Sequence, residues 1–211
     1  MHKTDSARES FHSRFNRILA VVAWVLTAFA LVTSAVAGLL VDLSAARIVL
    51  PLALIALAAY AVLWRPHLTV DDDAVTAVNV LRTVVIPWSA LIDVDTKFSL
   101  TLRTPRGSYG VWAAPAPGRT GIAVARRAER RHGTESQTAA LGNRSRPGDL
   151  ITTESGEAAY LVRERWNELV ESGRVEAGIA ETVAVQVRWH WALDAGMALL
   201  LIATVVTAAM G

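Results

Sequence analysis

The chain has 211 residues, 53% of them hydrophobic, with a formal net charge of +2 and no cysteine. That length accommodates one or two domains, while the hydrophobic fraction exceeds what a soluble domain of this size needs. The near-balanced charge excludes bulk attraction to nucleic acid, and the lack of Cys excludes disulfides, thiolate metal sites and cysteine nucleophiles while fitting a reducing interior.

The first seventeen residues carry Lys3, Arg8, Arg14 and Arg17 and read as a basic N-terminal tail. From Ile18 to Val41 the run ILAVVAWVLTAFALVTSAVAGLLV holds no charge. As a helix it reaches about 36 Å, enough for a hydrocarbon core of about 30 Å. It is too long for the apolar core of a secretory signal, and a second apolar segment follows at once. That second segment, Ala45 to Trp64, is interrupted by Arg47 and by Pro51 in its first turns, where a missing amide donor costs least. Asp42, Leu43 and Ser44 leave room for a tight reversal alone, so residues 18–64 are expected to form a two-helix transmembrane hairpin. Ser34 and Gly38 form a pair of small residues one helical turn apart, which leaves homo-oligomerisation open.

Residues 65–114 switch to short alternating or β-branched runs broken by turn residues. Strands are expected at Leu68–Val70, Ala74–Val80, Thr83–Ile86, Leu91–Thr96, Ser99–Thr104 and Ser108–Ala113. Asp71, Asp72 and Asp73 supply the first reversal, and Pro105, Arg106 and Gly107 a later hairpin loop. Asp93 and Asp95 fall on one strand face, where a salt bridge to Lys97 or a nearby arginine accounts for them.

Residues from about 115 to 155 are rich in Ala, Gly, Ser, Thr and Arg and read as a flexible insertion. Between residues 119 and 146 seven arginines face Glu129 and Glu135, a local excess of five positive charges concentrated in ARRAERRH. On a helical turn Arg126, Arg127, Arg130 and Arg131 share one side, which makes them candidate contacts for anionic lipid. An amphipathic helix is expected over about 156–172, with Ser155 as its N-cap and Gly173 as its stop. Ala158, Val162, Trp166 and Leu169 recur at helical spacing and should cover the sheet. The stretch TVAVQV then continues as a strand or as the start of a helix.

A third apolar segment, Trp191 to Met210, carries Asp194 one turn inside its start, positioned to reach the interface or to pair with Arg188 or His190. Trp64, Arg65, Arg188, Trp189 and Trp191 stand at segment ends as interface anchors. Basic residues crowd the N-terminal side of the first segment, whereas the hairpin loop offers Arg47 alone. The positive-inside rule therefore predicts a multi-pass protein of the plasma membrane, with the N-terminus and residues 65–188 cytoplasmic and residues 189–211 as the last span.

The string WRPHLTVDDDAVTAVNVLRTVVIPWSALIDVDTKFSLTLRTPRGSYGVWAAPAPGR, with Trp64, Arg65 and Pro66 closing a span and Pro87 and Trp88 ending a strand, resembles the bacterial PH-like (pleckstrin-homology-like) domain of small actinobacterial membrane proteins. The resemblance covers residues 64–119 well and the later helix by position. It implies an α+β fold: a PH-like antiparallel sheet or barrel capped by an amphipathic helix and held by three transmembrane helices. Pleckstrin-homology domains that hold inositol phosphates use basic residues around the first hairpin. Here Asp71, Asp72 and Asp73 occupy that hairpin, so phosphoinositide binding does not carry over.

No converging nucleophile and base and no metal-ligand spacing are visible; His2, His12, His67, His132 and His190 are scattered singly. The sequence thus predicts a non-enzymatic interaction module without cofactor or metal, bound to the bilayer and recruiting a protein partner. The alternatives are anionic-lipid sensing through the arginine-rich insertion and service as an accessory subunit of a membrane transport complex.

Overall fold

The computed structural model describes residues 8–40, 48–116, 153–175 and 179–210. They fall into two compact units, one drawn from Met1–Ser13, His67–Asn79 and Thr83–Arg188, the other from Arg14–Pro66, Val80–Arg82 and Trp189–Gly211. The chain is α+β, with mixed helices and antiparallel sheet.

The first unit is built on two sheets. Strands β1 (Glu9–Phe11), β2 (His67–Val70), β3 (Ala74–Val78), β4 (Arg82–Pro87) and β8 (Gln186–Trp189) form one in the order β1-β2-β3-β4-β8. Strands β5 (Asp93–Asp95), β6 (Ser99–Thr104) and β7 (Gly107–Pro115) form the other in sequence order. Because strand residues alternate between faces, antiparallel register stacks like with like. Phe11 pairs with Leu68, Leu68 with Ala77 and Ala77 with Val84, so one buried row crosses four strands. Val70, Val75 and Ile86 form a second row beside it. In β6 the expected alternation holds, with Leu100 and Leu102 buried and Arg103 exposed.

Helix α3 (Glu154–Glu171) covers this core with Ala158, Val162 and Leu169, and Trp166 packs partly buried against it. Its N-cap is Thr153 rather than Ser155: the extended backbone ends at Thr153, whose Oγ1 accepts the Gly156 N–H at 3.1 Å, and Ser155 is buried inside the first turn. Gly173 ends the helix at φ +69°, a left-handed conformation that glycine adopts without a Cβ penalty.

The strand β1 is a finding that the basic-tail reading of residues 1–17 missed. Three residues with two polar side chains carry no strand signal of their own; pairing with β2 and burial of Phe11 make the strand. Ser13 adds a hydrogen bond from its Oγ to Glu154 Oε2 at 2.7 Å.

The second unit is helical. Helix α1 runs Arg14–Leu40, so Arg14 and Arg17 lie inside its first turns rather than before it. Helix α2 runs Val49–Ala59 and widens into a π-helical turn at Tyr60–Trp64. Helix α4 runs Trp191–Ala209. Residues Arg14–Gly38 and Trp191–Ala209 are long and apolar enough to cross a membrane, whereas Val49–Trp64 is shorter. At the contact of α1 and α2, the Trp24 indole N–H donates to the Ala56 carbonyl at 3.0 Å. Trp24 is therefore an interhelical tie.

Replacing Phe11 by Ala is expected to cost about 3–5 kcal/mol by emptying the end of the buried row, read as a lower thermal midpoint of the full-length protein in detergent. Glu9→Ala, at an exposed position of the same strand, should stay within about 0.5 kcal/mol.

Candidate functional site

The acidic reversal between β2 and β3 is occupied by structural work. Asp71 Oδ1 accepts the Asp73 N–H at 3.1 Å and the Ala74 N–H at 2.8 Å, the arrangement that lets aspartate close a turn on itself. The Asp71 carbonyl accepts the indole N–H of buried Trp88 at 2.9 Å. Asp72 is paired with Arg165 of α3, and Arg174 approaches it at 3.8 Å. The acids thus fasten the helix to the sheet.

A second carboxylate pair behaves as its strand register dictates. Asp93 lies opposite Arg103, whose guanidinium reaches Asp95 at 2.6 Å and Asp93 at 3.7 Å. Lys97 contributes its backbone N–H to Asp95 Oδ1 at 3.0 Å, not its ammonium. Arg163 donates to the Val94 carbonyl at 2.7 Å and ties α3 to the same strand. On the surface of α3 the Tyr160 hydroxyl donates to Glu164 at 3.1 Å, and that hydrogen bond together with the nearby negative charge holds the phenol above its usual pKa. One turn of exposed helix accounts for that pair.

Within the second unit several aromatic and basic side chains at the helix ends come together. Arg17 lies over the Trp64 ring with its guanidinium carbon 5.2 Å from the centroid, and Trp24 is tilted against Trp64 at 5.2 Å. Arg65 Nη1 lies 2.6 Å from His190 Nδ1. The His190 backbone N–H donates to the Leu81 carbonyl at 2.9 Å, and its ring Nδ1 is 3.2 Å from the Val80 carbonyl. Arg82, at the end of that turn, covers Trp189 at 5.5 Å, and Trp189 is tilted on Trp191 at 5.9 Å. Both cation–π distances fall inside the range in which the ring face attracts a cation.

Sequence reasoning named Trp64, Arg65, Trp189 and Trp191 but missed Arg82 and the Val80–Leu81 carbonyls, because no local signal joins a strand turn to a tryptophan a hundred residues later. It also missed His12, whose ring stacks on His67 at 5.1 Å where β1 meets β2. Arg188 lies on exposed strand β8. Asp194 sits in the first turn of α4 with its backbone N–H on the His190 carbonyl at 3.1 Å, and its buried Oδ1 has no hydrogen-bond partner. That oxygen therefore makes no hydrogen bond to Arg188 or His190. Arg126, Arg127, Arg130 and Arg131 lie outside the described residues. Among the described residues no three His, Asp or Glu side chains gather at metal-binding spacing.

The sheet of β5, β6 and β7 leaves Phe98 78%, Ile92 52% and Trp112 52% exposed. Large apolar groups left in water are costly unless something covers them. They are among the large apolar side chains that the described residues of the first unit leave exposed.

Arg103→Ala is expected to cost about 1–3 kcal/mol, because Asp95 is buried and would lose its cation. Asp93→Ala, at the solvent end of the same arginine, should change stability by less than about 0.5 kcal/mol. Thermal unfolding of the two variants side by side measures the difference.

Residues 65–149 match the family model described as a bacterial PH domain. That match supports a bacterial PH-like domain and bears out the resemblance read from residues 64–119. No curated protein and no solved structure gives a match.

Proposed function

We propose, from the bacterial PH-like domain at residues 65–149, that this protein is a membrane-tethered, non-enzymatic interaction module that recruits a protein partner to the cytoplasmic membrane face. PH-like domains are generally interaction modules, and no catalytic family is matched. The observation that carries the tethering is the burial of the apolar helices: 11% of the most apolar stretch of α1 and none of that in α4 is covered by protein. A core helix of a soluble protein would be mostly covered, so bilayer hydrocarbon is the solvent that suits these faces.

The β1–β2 pairing supports the sidedness. The chain leaves the sheet after Ser13 and returns at His67 on adjacent strands, so its helical excursion, if it crosses a bilayer, crosses an even number of times. Arg14, Arg17 and Arg65 mark the cytoplasmic side, and α4 then carries the C-terminus outward. A removable secretory signal fits poorly with a first strand that is part of the finished sheet.

Recruitment is assigned to Ile92, Phe98 and Trp112. Anionic-lipid sensing by the arginine-rich insertion draws on charge alone. Service as an accessory transport subunit draws on the unpartnered carboxylate oxygen of Asp194.

Since the chain lacks cysteine, single substitutions report sidedness cleanly. Arg106→Cys should resist a membrane-impermeant maleimide in intact cells and react after lysis, and Met210→Cys should react in intact cells; the reverse pattern would overturn the orientation. A photo-crosslinking residue at position 98 or 112 should capture a discrete protein in native membranes that the same group at position 106 does not. Equal capture from all three positions would remove the recruitment surface.

A further inference from the structure

A hairpin turn ordinarily takes Gly, Asn, Asp or Ser, whose backbones bend easily and whose polar groups suit a tip in water. Two reversals of the first unit follow that rule: Asp71, Asp72 and Asp73 join β2 to β3, and Pro105 and Arg106 join β6 to β7. The turn between β3 and β4 departs from it. Val78 is paired with Thr83, which leaves Asn79, Val80, Leu81 and Arg82 to make the reversal, and Leu81 is 50% exposed. Val80–Arg82 groups with the helices and not with the strand residues on either side.

Hydrogen bonds tie this turn to the start of α4. The His190 backbone N–H donates to the Leu81 carbonyl at 2.9 Å. His190 is the N-cap of α4, and its own carbonyl accepts the Leu193 and Asp194 N–H groups at 2.9 and 3.1 Å. Arg82 covers Trp189 at 5.5 Å, and Trp189 is tilted on Trp191 at 5.9 Å. Trp189 and Trp191 are 48% and 73% exposed, so turn and helix start together present Leu81 and two indoles. Helix α4 has 19 residues. At the rise of a helical residue that is about 28 Å, close to the roughly 30 Å of a hydrocarbon core. In a bilayer, a span with so little to spare has its first residue at the core boundary. Leu81, one hydrogen bond from the residue before it, is then held at that depth.

We propose that the β3–β4 turn is a membrane wedge, with Leu81 inserted into the lipid layer at the boundary of headgroups and hydrocarbon beside Trp189 and Trp191. Leucine suits that layer because its methyl groups leave water, and tryptophan because its ring is apolar while its N–H is not. Lipid is favoured over a protein partner because the turn is joined through His190 to a helix whose most apolar stretch has none of its residues covered by protein. The wedge rests on the bilayer reading of the helices and adds to it a lipid contact made by a strand turn. It draws on apolar contact and not on charge, and so differs from lipid sensing by the arginine-rich insertion.

The test uses the full-length protein, which has no cysteine, in phosphatidylcholine vesicles with iodide available on both faces. A polarity-sensitive fluorophore is attached at Leu81→Cys, at Leu199→Cys on the exposed apolar surface of α4, or at Arg106→Cys in the β6–β7 turn. Position 81 should give blue-shifted emission and be quenched severalfold more by lipids spin-labelled near the headgroup than position 106. Iodide should quench position 106 and spare position 81, and a label deep in the acyl chains should quench position 199 best. Val80→Cys, in the same turn, gives the reading should the fluorophore at 81 prevent folding. Iodide quenching in the turn equal to that at 106 overturns the wedge, as does shielding of the turn from lipid labels and iodide alike, the mark of a protein contact; in both cases lipid quenching at 199 leaves the span standing. Loss of lipid quenching at 199 as well overturns the bilayer reading itself.

Discussion

Three paired residues hold the architecture together. Glu9, Ser10 and Phe11 lie antiparallel to Val70, Thr69 and Leu68, and through that short ladder the chain before α1 and the chain after the π turn become neighbours. The entropy of closing a long excursion grows only with the logarithm of its length, so a few well-packed residues suffice to hold its ends. Phe11 does most of that, because it ends a row of side chains that runs through Leu68 and Ala77 to Val84. Ser13 on Glu154 and the stacked rings of His12 and His67 fasten the same corner. The helical excursion is thereby rooted at both ends in one sheet.

Several charged side chains of the first unit hold its parts in register. Asp71 shapes a turn, Asp72 anchors α3 through Arg165, and Asp95 takes Arg103 across a strand pair. A cluster of three consecutive aspartates invites a metal or ligand reading; Asp71 Oδ1 is instead taken by backbone amides, and Asp72 is paired with Arg165 of a distant helix. The exposed apolar side chains beside the β5–β7 sheet set the chemistry of the proposed protein partner.

The helical unit shows the opposite economy. Arg17 and Arg82 lie on tryptophan faces, and its long helices present isoleucine, leucine and valine outward. Stacking keeps a guanidinium ordered without discharging it, so the positive potential stays available to an anion from outside.

Much of this was legible in the residues themselves. Long uncharged runs announce α1 and α4, because a helix without charge has a composition that water does not reward. Alternation marks β6 from Ser99 to Thr104 residue for residue, since the pleat enforces a period of two. Helical spacing places Ala158, Val162 and Leu169 inward, and Asp71 and Gly173 mark a turn and a stop through backbone chemistry that is local. Tertiary structure alone decided the rest. Glu-Ser-Phe becomes β1 only because β2 lies beside it, the N-cap falls on Thr153 where the extended chain ends, and Arg82 meets Trp189 only because β4 and β8 share a sheet. Local propensity acts over a few residues, whereas these contacts join segments far apart in the chain, and no short window of sequence records which distant partner will arrive.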